Sequence, residues 1–327
     1  MRTTLALSAL LAATGSASAQ FLFSNAGPTP DSPALAPASA SLSGVPAPSG
    51  SAWSELQAAL TGECNAVAGF SVHAAGEEGL YRLADDFEVP ADSLWQLDTL
   101  RVYAFVPGHS GGSPFSAMTV RIWLGQPGTP EAVVIAGDAD ANALTSASAT
   151  GIYRVFNTLR APLAPAPDTS RAIWSIDASL AGTVLGPGHY WIDWQLTCVN
   201  PDAPAFSPSA TLTSSRATLG ADALQFRYEV GPALGQWTPI ADSGKPASTA
   251  DAAQDLPFIL LGLALPNCDP DLNQDGNADQ DDVGYLTNVI AGGENPSGRD
   301  PDFNRDGNAD QDDVLALVDV IAGGPCP

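Results

Sequence analysis

Short apolar runs separated by turn residues occupy the middle of the chain, from Trp53 to Leu265. Eight of them have strand character: residues 97–106, 118–124, 132–136, 151–157, 172–176, 189–199, 223–230 and 256–263. The longest helical pattern in this region covers only residues 53–60. Short strands at this spacing predict a mainly β protein whose residues 53–265 form an antiparallel β-sandwich with jelly-roll-like connections.

Strict alternation along two of these runs predicts which side chains face the core. The expected inward residues are Met118, Val120, Ile122 and Leu124 in one run, and Tyr190, Ile192, Trp194, Leu196 and Cys198 in the other. Trp123 and Trp191 alternate with them, and Tyr103 is also expected to point outward. These three aromatic residues form a possible sugar-binding face beside polar neighbours. Packing within the protein is the alternative reading.

A tandem duplication near the carboxyl end follows the strand region. Residues 271–293 and 302–324 are identical at 17 of 23 positions, with an offset of 31 residues. Each copy opens with an acidic twelve-residue loop of the calcium-binding pattern, which presents oxygen ligands from alternate positions. Gly276 and Gly307 occupy position 6, where the loop turns sharply. The sequence therefore predicts a domain at residues 266–327 that binds two calcium ions.

The predicted calcium ligands lie at loop positions 1, 3, 5, 7, 9 and 12. They are Asp271, Asn273, Asp275, Asn277, Asp279 and Asp282 in the first loop, and Asp302, Asn304, Asp306, Asn308, Asp310 and Asp313 in the second. Position 7 contributes its backbone carbonyl. One helix is predicted after each loop, from the apolar positions Val283, Leu286, Val289, Ile290 and Val314, Leu317, Val318, Ile321. The glycine pairs 292–293 and 323–324 end these helices.

A duplicated loop followed by a single helix, with aspartate at position 12, resembles the dockerin family over residues 267–327. The resemblance implies a small α-helical, non-catalytic module that binds two calcium ions and attaches an exported protein to a cohesin-like or cell-surface partner. It places partner recognition at loop positions 10 and 11, which are Gln280, Asp281, Gln311 and Asp312 here. Since both copies carry the same pair, docking in either orientation is implied. The alternative is that these four are solvated first-turn residues.

Four cysteines allow three disulfide pairings. The pairing that respects the domain boundaries joins Cys64 to Cys198 and Cys268 to Cys326. Flanking of the repeat by Cys268 and Cys326 also resembles a variant found in exported proteins of planctomycete-like bacteria. Disulfides form in an oxidising compartment, so this pairing predicts an exported protein.

Residues 1–19 have the charged start, short apolar run and small-residue exit of a secretory signal peptide. Residues 20–52 are rich in proline, alanine and serine, and predict an extended or disordered leader. No later stretch reaches the roughly twenty apolar residues of a membrane span. We expect a secreted, extracellular or cell-surface protein.

Acidic residues outnumber basic ones by 36 to 12, which gives a formal net charge of −24. Such a charge opposes binding to nucleic acids and to anionic membranes. Residues 266–327 hold 14 acids against two arginines, so half of this charge lies in the duplicated segment. Much of the acidity is therefore explained by metal binding.

Motif searches assign no catalytic residue. Residues 108–112 match the G-x-S-x-G pattern, but they lie between prolines in a predicted hairpin loop rather than before a helix. His189, Asp193 and the Asp85-Asp86 pair have no defined partner at a catalytic spacing. Runs such as Val120-Arg121-Ile122-Trp123 resemble an exported bacterial β-rich domain of unassigned function.

The sequence thus favours a secreted non-catalytic protein attached to its partner through a calcium-binding module. The alternative is a carbohydrate-binding or polysaccharide-degrading component whose β-sandwich binds sugar. A third reading is that the tandem loops only protect the carboxyl end against proteolysis.

Overall fold

Eighteen strands and two α-helices are present in the described part of the computed structural model, which covers residues 20–25, 34–56, 64–75, 79–91, 93–160, 166–211, 216, 220–228, 235–266, 268–324 and 326–327. The strands are β1 (Gln20–Ser24), β2 (Pro37–Ala38), β3 (Ala52–Leu56), β4 (Phe70–Ser71), β5 (His73–Ala75), β6 (Gly79–Val89), β7 (Ser93–Ala104), β8 (Phe115–Leu124), β9 (Val133–Asp138), β10 (Leu144–Phe156), β11 (Ala172–Leu185), β12 (Gly188–Cys198), β13 (Phe206–Ser207), β14 (Leu224–Arg227), β15 (Gln236–Pro239), β16 (Ala241–Asp242), β17 (Ala252–Ala253) and β18 (Phe258–Pro266). The helices are α1 (Gln280–Ile290) and α2 (Gln311–Ile321). Among the described residues, strands hold 45% and helices 9%, which confirms a mainly β protein. All eight predicted strand segments contain a strand.

Most of the strands belong to two seven-stranded sheets. Sheet I has the order β1-β18-β7-β11-β10-β3-β2, and sheet II has the order β15-β14-β6-β5-β12-β8-β9. Neighbouring strands are antiparallel except for two parallel pairs, β3 with β10 and β5 with β12. The sheets are therefore mixed, whereas the sequence predicted a purely antiparallel arrangement.

One buried apolar cluster joins the two sheets. Sheet I contributes residues such as Leu100 and Ile176, and sheet II contributes residues such as Ile122 and Trp194. The predicted inward residues of β8 and β12 lie in this cluster, except Leu124, which is exposed at the end of its strand. Alternation therefore identified the core-facing side of both strands correctly.

The amino-terminal segment takes part in sheet I, which corrects the prediction of a disordered leader. Strand β1 pairs with β18 across the register Gln20 to Gly262, and Leu35 is fully buried. The segment predicted as helical at residues 53–60 begins with strand β3, whose Trp53 is buried against its parallel neighbour β10. Residues 57–60 and the predicted signal peptide at 1–19 lie outside the described residues.

Only one of the two predicted disulfides is formed. Cys268 and Cys326 are bonded, with their Cα atoms 5.7 Å apart. The predicted bond between Cys64 and Cys198 is wrong, because Cys64 lies beside Lys245 and Cys198 ends strand β12 next to Phe115. Burial raises the pKa of the Cys198 thiol to about 11. Pairing by predicted domain could not anticipate that these two cysteines occupy different places in the fold.

The carboxyl-terminal helices pack on a small core of their own. Leu272, Leu286, Phe303 and Leu317 are its buried members. Within the described residues, no helix combines the length and apolar character needed to cross a lipid bilayer.

Candidate metal centre in the duplicated acidic loops

The N-cap of each helix is an aspartate at position 9 of its own acidic loop. The Asp279 side chain accepts a hydrogen bond from the backbone N–H of Asp281 at 2.8 Å. The Asp282 side chain accepts one from the backbone N–H of Asp279 at 2.9 Å, and this reciprocal pair is a capping box. Asp310 and Asp313 make the equivalent pair in the second copy. Positions 9 and 12 of each loop are therefore locked to the first turn of the following helix.

The turn of each loop depends on two residues with positive φ angles. Gly276 has φ +94° and Gly307 has φ +95°, while Gln274 and Arg305 at position 4 have φ near +60°. In this tight turn both carboxylate oxygens of Asp271 accept backbone hydrogen bonds, from Asp275 at 3.1 Å and from Gly276 at 2.9 Å. Asp302 holds the second loop with bonds of the same lengths. Local sequence thus determines the loop conformation.

The side-chain oxygens at positions 1, 3 and 5 lie on the same stretch of backbone. Asn273 Oδ1 and Asp271 Oδ1 both accept from the Asp275 backbone N–H, at 2.8 and 3.1 Å. Asn273 Nδ2 in turn donates to Asp275 Oδ2 at 3.2 Å. The backbone N–H of Asn277 donates to Asp275, which, with smaller side-chain contributions, lowers the pKa of that carboxyl group. The equivalent bonds lower the pKa of Asp306.

The position 12 aspartates are buried, unlike the other loop carboxylates. Asp282 accepts from the backbone N–H groups of Asn273 and Asp279, both at 2.9 Å, so it ties the two ends of the loop together. Asp313 does the same for the second loop. Each loop is therefore closed by a buried carboxylate that belongs to the first turn of its own helix.

These donors fit a calcium ion by their chemistry. Hard, large divalent cations take six to eight oxygen ligands from carboxylates, amides and backbone carbonyls, and both loops offer all three types. Within the described residues, three carboxylates approach within 4.8 Å of one another only outside these loops. A cation here would therefore depend on the Asn273 and Asn304 side chains and the position 7 carbonyls as well as on aspartates.

The predicted partner-binding residues Gln280, Asp281, Gln311 and Asp312 are all exposed in the first turns of their helices. Their side chains are accessible on both copies, as docking requires.

Two of the three aromatic residues of the predicted sugar-binding face are buried, contrary to the expectation that they point outward into solvent. Tyr103 is only 4% exposed and lies on sheet I, where burial raises its pKa to about 12. Trp191 is 2% exposed and lies on sheet II, in a cluster with Ala84 and Leu224. Trp123 is half-buried, and its indole Nε1 donates to Asp193 at 2.5 Å. Trp123 and Trp191 are cross-strand neighbours on sheet II, whereas Tyr103 lies on sheet I, so the three do not form one face.

Charged residues on the same side of sheet II are bound to one another. Asp193 is fully buried and accepts from Arg82 and, at 2.9 Å, from Arg121 Nε. Burial lowers the pKa of Arg82, although Asp193 opposes this effect. His189 pairs with Asp86 at 2.5 Å rather than with Asp193. This network stabilises the sheet and gives no support to a hydrolytic triad.

The G-x-S-x-G segment lies in the loop between β7 and β8, as the sequence predicted. Gly108 donates its backbone N–H to Ser170 at 2.7 Å, and His109 contacts the Gly112 carbonyl. A strand follows the loop, so Ser110 does not stand before a helix as the nucleophile of such a motif would.

Three carboxylates, one from strand β6 and two from loops, meet in a cluster that the sequence did not predict. The oxygens of Asp85, Asp222 and Asp255 lie within 4.8 Å of one another. Full burial is the main cause of the strongly raised pKa of Asp85. Desolvation, followed by the charges of Asp86 and Asp255, raises the pKa of Asp222 to about 6. Asp85 has no exposed surface and therefore cannot contact a substrate.

No protein-family model, curated protein or solved structure is significantly similar to this chain.

Proposed function

We propose that this is an exported attachment protein whose carboxyl-terminal module binds two calcium ions and then docks onto a cohesin-like protein of the cell surface. The observation that carries the proposal is the repetition of one loop frame. Two loops that start 31 residues apart in the sequence have the same hydrogen bonds, with lengths that agree within 0.2 Å. A general acidic turn would not be expected to preserve every ligand position twice.

Calcium explains why so many aspartates are gathered in each loop. Each twelve-residue loop holds five aspartates, four of them at the proposed ligand positions, and these carboxylates repel one another unless a cation lies among them. Binding of the ion would therefore stabilise the folded loops strongly. The Cys268–Cys326 bond closes the module at its two ends and supports a role outside the reducing cytosol.

Residues 53–265 act in this proposal as the non-catalytic body that the module attaches. Two sheets sharing one core support a jelly-roll-like sandwich for this part. The buried state of Tyr103 and Trp191 removes the main support for the carbohydrate-binding alternative.

Calorimetric calcium titration of the full chain tests the metal site. We expect two ions per chain for the wild type and none with high affinity for Asp275→Ala plus Asp306→Ala. A control with the same change in charge, Asp251→Ala plus Glu294→Ala, alters exposed residues outside the loops and should still bind two ions.

Attachment is tested by incubating the full chain with an envelope preparation of the producing cell, with calcium or with EDTA. Retention should require calcium and should be lost in the double loop variant. Absence of calcium uptake, or equal retention in EDTA, would contradict the proposed function.

A further inference from the structure

The exposed faces of α1 and α2 differ although the two helices are copies of each other. Six of the 23 repeated positions differ, and three of them lie on the exposed side of the helices. These pairs are Gly284 and Leu315, Thr287 and Val318, and Asn288 and Asp319. Half of the differences between the repeats therefore lie on the surface that the helices present to solvent.

Helix α2 presents an apolar stripe that α1 lacks. Leu315 is 60% exposed, and Val318, one of the apolar positions that predicted this helix, is 44% exposed. Their spacing of three residues puts them side by side on one face, and Ala322 extends the stripe by another turn. We call Leu315, Val318 and Ala322 the α2 stripe. The matching face of α1 has only Gly284, Thr287 and Ala291.

The segment between the repeats distinguishes the two helices further. Tyr285 of α1 bonds through its hydroxyl group to Asn295 at 2.6 Å and to Ser297 at 2.8 Å, so this segment is held beside α1. The equivalent residue of α2 is Ala316, which has no hydroxyl group to form such a bond. The side of α1 that carries Tyr285 is therefore in contact with the segment between the repeats, whereas α2 makes no equivalent hydroxyl bond.

Charge around the α2 stripe indicates the chemistry of its partner. Asp312 and Asp319 are exposed beside the stripe, and the last turn of α2 has no basic residue. Residues 266–327 carry a net charge of −12, from 14 acids and two arginines, and two bound calcium ions would leave −8. A second copy of the module or an anionic lipid surface would be repelled. A protein with an apolar depression bordered by arginine or lysine would be attracted.

We propose that the module docks in one orientation only, with the α2 stripe entering an apolar depression, bordered by basic side chains, on the receptor. This inference rests on the proposed attachment function. It replaces the two equivalent orientations that the identical loop residues imply. The two loops cap and order both helices, whereas Leu315 and Val318 determine which helix contacts the receptor.

Matched variants of the full chain test this orientation, by their retention on the envelope preparation in the presence of calcium. Leu315→Gln plus Val318→Gln keeps good helix-forming residues on α2 and removes its apolar surface. Gly284→Gln plus Thr287→Gln makes the same change on α1. We expect retention at least tenfold weaker for the α2 pair and changed less than twofold for the α1 pair. Calcium titration and circular dichroism of each variant should match the wild type.

A transfer of the stripe provides a second measurement. Leu315→Gly plus Val318→Thr gives α2 the residues of α1 and should abolish retention. Adding Gly284→Leu plus Thr287→Val should restore part of it, because the apolar pair then lies on α1.

The outcomes separate this inference from the proposed function. Equal losses from the α1 and α2 pairs, or a larger loss from the α1 pair, would overturn the single orientation while leaving calcium-dependent attachment intact. Calcium-dependent retention on protein-free vesicles of envelope lipids would identify a lipid partner, and a dimer in sedimentation that the α2 pair abolishes would identify a second copy. Either result would overturn the inference. No calcium-dependent retention of the wild type would refute both.

Discussion

Replacing Asp193 with asparagine should destabilise the strand region far more than the same change at Asp177. Both aspartates lie on strands and pair with arginines of neighbouring strands, but only Asp193 is fully buried. The comparison therefore measures the effect of burial on one kind of ion pair.

The expected magnitude follows from the partners that Asp193 would leave behind. Its carboxylate binds Arg82, which is 5% exposed, and also Arg121 and the indole N–H of Trp123. Removing one partner of a buried ion pair costs about 3–5 kcal/mol, because the remaining charge stays in a poorly hydrated site. For a domain of this size, about 1 kcal/mol lowers the melting temperature by roughly 2–4 °C. We expect Asp193→Asn to lower it by roughly 6–20 °C.

Asp177→Asn is the matched control on sheet I. Arg101 binds Asp177 at 2.7 Å, with exposed fractions of 36% and 18% for the two side chains. Exposed pairs of this kind contribute about 0–1 kcal/mol, so the expected shift is below about 4 °C. Added salt should weaken the Asp177 effect and leave the Asp193 effect nearly unchanged.

Tryptophan fluorescence during heating is a suitable assay, because all seven tryptophans precede residue 238 and none lies in residues 266–327. Each variant is compared with the wild type in the same calcium-containing buffer. Equal shifts for the two variants, or a shift below about 4 °C for Asp193→Asn, would refute the argument that the buried network stabilises sheet II.

Three further predictions concern the acidic cluster, the disulfide and the loop turn. Folding raises the pKa of Asp222 to about 6, from about 3.9 in the unfolded chain, so the folded state binds more protons and loses stability as pH rises from about 4 to 6. Asp222→Asn should therefore raise the melting temperature at pH 7 and leave it nearly unchanged at pH 4. A larger gain at pH 4 would contradict this. Reducing the Cys268–Cys326 bond, which spans 58 residues, should destabilise the carboxyl-terminal module by up to about 4 kcal/mol in the presence of calcium. Urea titrations followed by the circular dichroism of its two helices measure this change. An unchanged midpoint would show that the bond hardly restricts the unfolded chain. Gly276→Ala places a Cβ at a residue with φ +94°, which costs about 1–2 kcal/mol, so calcium affinity at the first loop should fall on the order of tenfold. The control Gly284→Ala in α1 should leave this affinity unchanged. Equal calorimetric titrations of the two variants would reject the role of the turn.

Local features of the duplicated carboxyl-terminal segment were predictable because each depends on residues close in the sequence. The proposed ligand positions of each loop lie within twelve residues, and the capping boxes join residues three apart. Helices α1 and α2 each end at an alanine cap directly before the predicted glycine stops. The oxygen-bearing residues of the loops and the start and end of each helix therefore follow from the sequence alone.

The surroundings of the strands were not predictable in the same way. Alternation correctly placed Trp191 on the side of its strand that faces away from the main core. That side is nevertheless covered, because Trp191 packs in a second buried cluster with Ala84 of β6 and Leu224 of β14. The pattern within one strand does not show that distant segments will cover its outer side.

Long-range contacts decided the remaining features. Asp85 accepts a hydrogen bond from the backbone of Leu256, 171 residues away, and meets Asp222 and Asp255 only because their strands and loops converge. Cys64 and Cys198 were separated by the same kind of folding.

The sequence by itself determined that the chain is mainly β and that it ends in two acidic loops, each followed by a helix, since periodicity and turn chemistry are local properties. Only the tertiary structure decided that β1 joins sheet I, that Tyr103 and Trp191 are covered, and that Leu315 and Val318 remain exposed. The physical reason is that a pattern of apolar residues defines the sides of a strand or helix, whereas the elements that cover each side are set by packing between distant parts of the chain.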